Sequence, residues 1–169
     1  MHLVTGSDRS RGKKPLHYAA LYRKEDTMRL LLESSDHDAI CAKDENGLTP
    51  LHYAARGGFL EGIGLLVQAG ALIDITDDYR FTPLLWAAVS GHLDAIYKLE
   101  SLGVDPVDKY DDLRGTSAVE WAISLGQYHM STLLISSWPS LPRVSEAPLM
   151  NQAAAQGMED VVRLLFSGG

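Results

Sequence analysis

A seven-residue block recurs along the chain, and its spacing restricts the fold more than any other feature. Residues 14–20 read Lys-Pro-Leu-His-Tyr-Ala-Ala, residues 49–55 Thr-Pro-Leu-His-Tyr-Ala-Ala and residues 82–88 Thr-Pro-Leu-Leu-Trp-Ala-Ala. Weaker copies are Ser-Ala-Val-Glu-Trp-Ala-Ile at 117–123 and Pro-Leu-Met-Asn-Gln-Ala-Ala at 148–154. Anchored on the second residue of each block, Pro15, Pro50, Pro83, Ala118 and Leu149, the copies are spaced by 35, 33, 35 and 31 residues. Eight residues past the anchors stand Arg23, Gly58, Gly91, Gly126 and Gly157; sixteen past them stand Leu31, Leu66, Leu99, Leu134 and Leu165. A period of this size marks a supersecondary unit that buries its apolar face only by stacking on its neighbours.

The residues of the block explain themselves. Thr49 offers a hydroxyl to cap a helix, and Pro50 suits the first helical position, where a missing N–H costs nothing. The paired alanines let two helices approach closely, and the glycines eight past the anchors end the first helix in the left-handed conformation. A second helix follows, from about Asp26 to Ser34 and from about Leu93 to Leu102, with Met28, Leu31 and Leu32 or Ile63, Leu66 and Val67 forming its buried stripe. Gly70 and Gly103 end it. Turn residues dominate 36–48, 71–81 and 104–116, whereas the three prolines of 136–148 predict a loop.

The Thr-Pro-Leu-His-x-Ala-Ala block, the Gly-His-Leu-Asp at 91–94, the Leu-Leu pairs and the Ala-Gly-Ala at 69–71 make the chain resemble an ankyrin-repeat protein over about residues 9–169. The resemblance implies an all-α solenoid of helix-turn-helix units linked by hairpin-like loops. The repeats fall at about 9–35, 44–70, 77–103, 112–138 and 143–169, after an N-terminal tail at 1–8. It also implies a Thr to His hydrogen bond at each helix start, which Lys14 and Leu85 break in the first and third copies. The last copy leaves Val161, Leu164, Leu165 and Phe166 on an uncapped end, a pattern that favours a longer parent chain.

Composition narrows the functional classes. The 169 residues carry 15 Lys and Arg against 22 Asp and Glu, a net charge of −7, which disfavours sequence-independent binding to nucleic acid. Cys41 is the sole cysteine, so no internal disulfide or cysteine zinc cluster forms and a reducing compartment, cytoplasm or nucleus, is expected. No apolar run approaches the roughly 20 residues of a membrane helix. A monomer without a cofactor is expected.

Catalytic signatures are missing: there is no Gly-Lys-Ser/Thr phosphate loop, no His-Glu-x-x-His and no Gly-x-Ser-x-Gly. Glu120 stands where the block holds His, and reads either as an acid paired with His129 or as a carboxylate favoured by the first helical turn. The aromatic column Tyr18, Tyr53, Trp86 and Trp121 reads as packing between repeats or as a stacking platform.

Candidate partner-binding residues are those that vary while the block around them does not. By resemblance they are the hairpin tips, Glu45, Asn46, Leu48, Asp78, Tyr79, Phe81, Leu113, Arg114 and Thr116, and the end of the first helix facing a concave groove, Arg56, Val89, Ser90, Ser124 and Leu125. Tyr79 and Phe81 are either anchors for a partner or packing between hairpins. The three hairpin segments hold eleven acids against four bases, so the expected partner is a protein or peptide with a basic segment. Asp44, Asp77 and Asp112, six residues before their anchors, are expected to stabilise turns. The alternative is a regulatory or recruiting part of a larger enzyme or receptor chain.

Overall fold

The computed structural model describes residues 11–104, 118–137 and 146–167. Five helix pairs follow one another: α1 (Pro15–Leu21) with α2 (Glu25–Glu33), α4 (Pro50–Arg56) with α5 (Leu60–Gln68), α6 (Pro83–Val89) with α7 (Leu93–Ser101), α8 (Ala118–Ser124) with α9 (Tyr128–Ser137), and α10 (Glu146–Ala155) with α11 (Glu159–Ser167). One further short helix, α3 (His37–Ile40), lies between the first two pairs. No strand occurs among the described residues, in keeping with the all-α solenoid.

Helices α1, α4, α6 and α8 span only seven residues each, two turns. Isolated helices of that length are unstable in water, so they exist here through packing. They pack in chain order, α1 on α4, α4 on α6, α6 on α8 and α8 on α10, while α2, α5 and α7 form a second layer and α11 closes on α9 and α10. Between the layers lie the alanine pairs: Ala20, Ala54, Ala55, Ala87, Ala88 and Ala122 are all fully buried. A larger side chain at any of them would hold the helices apart. Met28, Ile63, Leu66, Ile96 and Leu99 fill the core from the second helices.

Helices α1, α4 and α6 each start on their proline, and the residue before holds extended backbone. Thr49 and His52 make the bond expected of the block: the Thr49 N–H and hydroxyl lie 3.0 and 2.9 Å from Nδ1 of His52. Lys14 departs from the expectation, because its backbone N–H still reaches Nδ1 of His17 at 2.9 Å; only the hydroxyl is lost. In the third copy Thr82 keeps the forward half, accepting the Leu85 N–H at 3.2 Å.

The turn after each first helix needs a left-handed residue. Gly58, Gly91, Gly126 and Gly157 take it with φ between 61 and 77°, and in the first pair Arg23 is held there at 53°.

Three expectations are corrected. The segment 36–48 contains α3, nucleated where the Asp36 carboxylate accepts the Ala39 N–H at 2.8 Å. Part of the segment expected as a loop is helical, since α9 runs to Ser137 and α10 starts at Glu146 with Pro148 in its first turn, where a proline costs no hydrogen bond. Val161 is fully buried because α11 turns it toward α9 and α10, which leaves Phe166, 68% exposed, as the apolar residue facing solvent.

Candidate partner-binding face

The hairpin tips are built around two aspartates. Asp44 Oδ1 accepts the N–H groups of Asn46 and Leu48 at 2.9 and 3.0 Å, and its Oδ2 accepts the Tyr53 hydroxyl at 2.7 Å. Asp77 repeats the pattern one unit on: Oδ1 accepts from Tyr79 and Phe81 at 2.9 and 2.8 Å, and Oδ2 from Trp86 Nε1 at 3.0 Å. Both carboxylates are buried, so they shape the loops as expected and are not offered to a partner. Burial raises the Asp44 pKa, but the hydrogen bonds from Tyr53, Asn46 and Leu48 outweigh it and leave a net lowering. Tyr53 is pushed up, by its own burial and by donating to that carboxylate. Asp112, the third member of this register, lies outside the described residues; Trp121 Nε1 is buried with no partner among those described.

Consecutive tips are bonded to one another. The Glu45 N–H donates to the Arg11 carbonyl at 3.0 Å, and the Asp78 N–H to that of Asn46 at 3.1 Å. Lys43 Nζ reaches across to the Thr76 carbonyl at 2.7 Å. Beneath them His17 and His52 donate from Nε2 to the carbonyls of Leu48 and Phe81, each at 3.0 Å, which ties each first helix to the hairpin of the next unit. A carbonyl only accepts, so Nε2 carries the proton and Nδ1 is the bare acceptor facing the helix start.

The close approach of the tips falls at Gly47. Its φ is 77°, and a Cβ there would stand 2.5 Å from the Asp78 carboxylate and 2.7 Å from the Asp78 backbone nitrogen. Gly47→Ala is therefore expected to lower unfolding stability by about 2 kcal/mol, with the left-handed φ and the displaced tip both contributing. Urea denaturation against the wild type measures it, and an unchanged midpoint would contradict the geometry.

The structure divides the candidate residues. Glu45, Asp78 and Tyr79 are exposed along the bonded edge, with Asn46 half-buried between them; Tyr79 is 60% exposed. Leu48 is corrected: at 7% exposure it belongs to the core, because the Asp44 turn folds it beneath the tip. Phe81 is half-buried between Trp86 and Trp121, with ring centroids 5.4 and 5.6 Å away, so its ring serves packing. On the first-helix layer, Arg56 is exposed with its guanidinium 4.8 Å from the centroid of Trp86. Val89 and Ser90 are half-buried, and the Val89 carbonyl accepts Gln127 Nε2 at 2.9 Å. Ser124 and Leu125 are exposed at the end of α8. Leu113, Arg114 and Thr116 lie outside the described residues, as does the side chain of His129; Glu120 is half-buried in the first turn of α8.

Sequence reasoning missed a second edge. At the turns joining the helices of a pair, Arg23, Glu61, His92 and Asp94 line an open cavity of about 350 Å³, and Leu93, Gln127, Tyr128 and Met130 line one of about 290 Å³. Arg23 stands eight past its anchor and His92 nine past, and only the stacking of α2 on α5 and of α5 on α7 brings their turns together. Among the described residues no group of three His, Cys, Asp or Glu side chains gathers as a metal site would need, and no helix is long and apolar enough to cross a membrane.

Paired short helices, bonded hairpins and the helix-start histidines agree with the family model that matches residues 2–77, described as ankyrin repeats in three copies. The chain is an ankyrin-repeat chain. It is 31% identical over 150 residues to human ankyrin repeat domain-containing protein 63, an alignment covering 81% of this chain and 38% of that protein. It is 34% identical over 101 residues, 59% of this chain, to human transient receptor potential cation channel subfamily A member 1, where the match covers 9% of the channel subunit. It is 36% identical over 84 residues, 50% of this chain, to the glycerophosphocholine phosphodiesterase GDE1 of Candida albicans, covering 7% of that protein. The chain thus spans well under half the length of these ankyrin-bearing relatives.

Proposed function

We propose that this chain is a non-enzymatic binding module, a monomer in cytoplasm or nucleus, that holds a partner protein or peptide against its hairpin edge and first-helix face. Ankyrin repeats are in general protein-interaction modules, and the observation that carries the reading here is the bonded edge presenting Glu45, Asp78 and Tyr79 together. A tip fixed by hydrogen bonds loses little conformational entropy on binding, and an exposed tyrosine supplies a large contact area with one polar end. The exposed acids favour a basic segment in the partner, with association weakened by salt.

The test is affinity capture followed by measured binding of each captured protein to the wild type and to a Glu45→Lys, Asp78→Lys, Tyr79→Ala variant. A loss of about tenfold or more is expected, the size of one interface hot spot. If every captured protein binds the variant as tightly as the wild type, the hairpin edge is not the site.

A second reading is supported by the relatives. The matched part is 9% of a cation channel subunit and 7% of a phosphodiesterase, so such repeats also occur as small portions of much longer chains. In that setting this module would recruit or regulate what the rest of the chain does.

A further inference from the structure

On the first-helix layer two consecutive units carry a cation over a ring, and among the described residues the fourth does not. Two of the aromatic residues three past an anchor carry a cation from the preceding unit, supplied from different register positions: Lys13 Nζ lies 5.5 Å from the Tyr53 ring centroid, and the Arg56 guanidinium 4.8 Å from that of Trp86. The next ring in the column is Trp121, half-buried on α8, which packs on α6. Val89 stands in the register position of Arg56, six past its anchor, and Phe81 in that of Lys13, two before its anchor. Phe81 packs against Trp86 and Trp121 alike, yet only Trp86 carries a cation; among the described residues none lies over Trp121.

We propose that Trp121 is the subsite for an arginine side chain of the partner, which takes the place over the indole that Arg56 holds over Trp86. This rests on the reading of the first-helix face as a binding surface and names the chemistry recognised there. The geometry of Arg56 on Trp86 is the pattern for the bound state, since both rings stand at the same position of equivalent helices. Attraction between a guanidinium and the indole face favours arginine over a neutral side chain. The net charge of −7 and the exposed acids Glu45 and Asp78 favour its approach. Val89, half-buried on the helix that packs against α8, and Leu125, 48% exposed one turn past Trp121, are apolar, which suits an aliphatic residue next to the arginine.

Two blocked peptides test this by NMR titration of the indole N–H signals: acetyl-Gly-Ser-Arg-Leu-Gly-amide, and the same peptide with citrulline, a neutral isostere, for arginine. The arginine peptide is expected to move the Trp121 signal and leave that of Trp86, and the citrulline peptide to bind at least about fivefold more weakly. Val89→Arg supplies an internal cation and is expected to abolish the shift, with thermal unfolding checked to show that the stack is retained. Arg56→Val bares the other ring, so the Trp86 signal should then respond to the arginine peptide. A Trp121 signal that stays still, or moves equally with citrulline, overturns the proposal, as does an Arg56→Val variant whose Trp86 remains silent. A captured partner that binds Val89→Arg normally but loses affinity for the Tyr79 variant would sink the arginine subsite and leave the binding module standing.

Discussion

Replacing Asp77 by alanine is expected to cost about 3 kcal/mol or more, enough to unfold part of the stack at moderate denaturant. The Asp77 carboxylate accepts three hydrogen bonds, from the N–H groups of Tyr79 and Phe81 and from Trp86 Nε1. Each buried donor left without an acceptor costs about 1–3 kcal/mol. Asp44→Ala removes the equivalent three bonds, from Asn46, Leu48 and Tyr53, and is expected to cost a similar amount. Asparagine separates the two sites. Its single carbonyl can keep both backbone bonds, but its NH₂ then faces the third partner. The Tyr53 hydroxyl can turn and accept, whereas the Trp86 indole N–H only donates. Asp77→Asn should therefore be more damaging than Asp44→Asn, by about 1 kcal/mol or more. Equilibrium urea unfolding of the four variants decides it, and equal losses for the two asparagines would refute the assignment of the third partner.

Acid should loosen the stack well before carboxylates titrate. His52 is fully buried, and burial, opposed by the Phe81 carbonyl and by Asp77, lowers its pKa from 6.5 to about 4; His17 is lowered for the same reason. The neutral ring is the one the fold requires, because Nδ1 must be bare to face the Thr49 N–H while Nε2–H donates to Phe81. The unfolded chain binds a proton at higher pH than the folded one, so this contribution is complete above pH 6.5 and falls away as the pH drops toward 4. Integrated over that window, His52 is worth roughly 3 kcal/mol, of which about 2 should be lost by about pH 5. Asp44, whose folded pKa is lowered, adds a further loss as the pH falls below its ordinary 3.8. The measurement is the unfolding free energy at about pH 7 and about pH 5 for the wild type and for His52→Gln, which cannot titrate there. The variant should show the smaller drop whatever its starting stability, and identical slopes would remove His52 as the cause.

Much of this was legible in one chain because a repeat is its own alignment. Position-by-position comparison exposed the anchors, the helix-ending glycines and the aspartates six residues before each anchor. The partner of each aspartate was also readable in principle, as an aromatic residue nine positions later in both copies. Other features lacked such a signal. Leu48 and Phe81 sit two before their anchors, a place that Lys13 also occupies, and nothing in the sequence tells a residue folded under the tip from one projecting beyond it. Arg23 stands where the other units have the helix-ending glycine, and Arg80 three before its anchor, where Gly12 and Gly47 stand in the first two units; both nevertheless take the left-handed backbone, with φ 53° and 65°.

The sequence by itself determined the repeating unit, its helix starts and stops, and the all-α solenoid, since these depend on local chemistry and on a period the chain states several times. The tertiary structure decided which variable side chains are available. Whether Arg56 is free or lies on Trp86, and whether Tyr79 or Phe81 faces solvent, depend on contacts between residues about thirty positions apart. Those contacts are set by how one unit's hairpin and first helix rest on the next, a packing geometry in which a single side chain's length determines whether it fills a gap or leaves one.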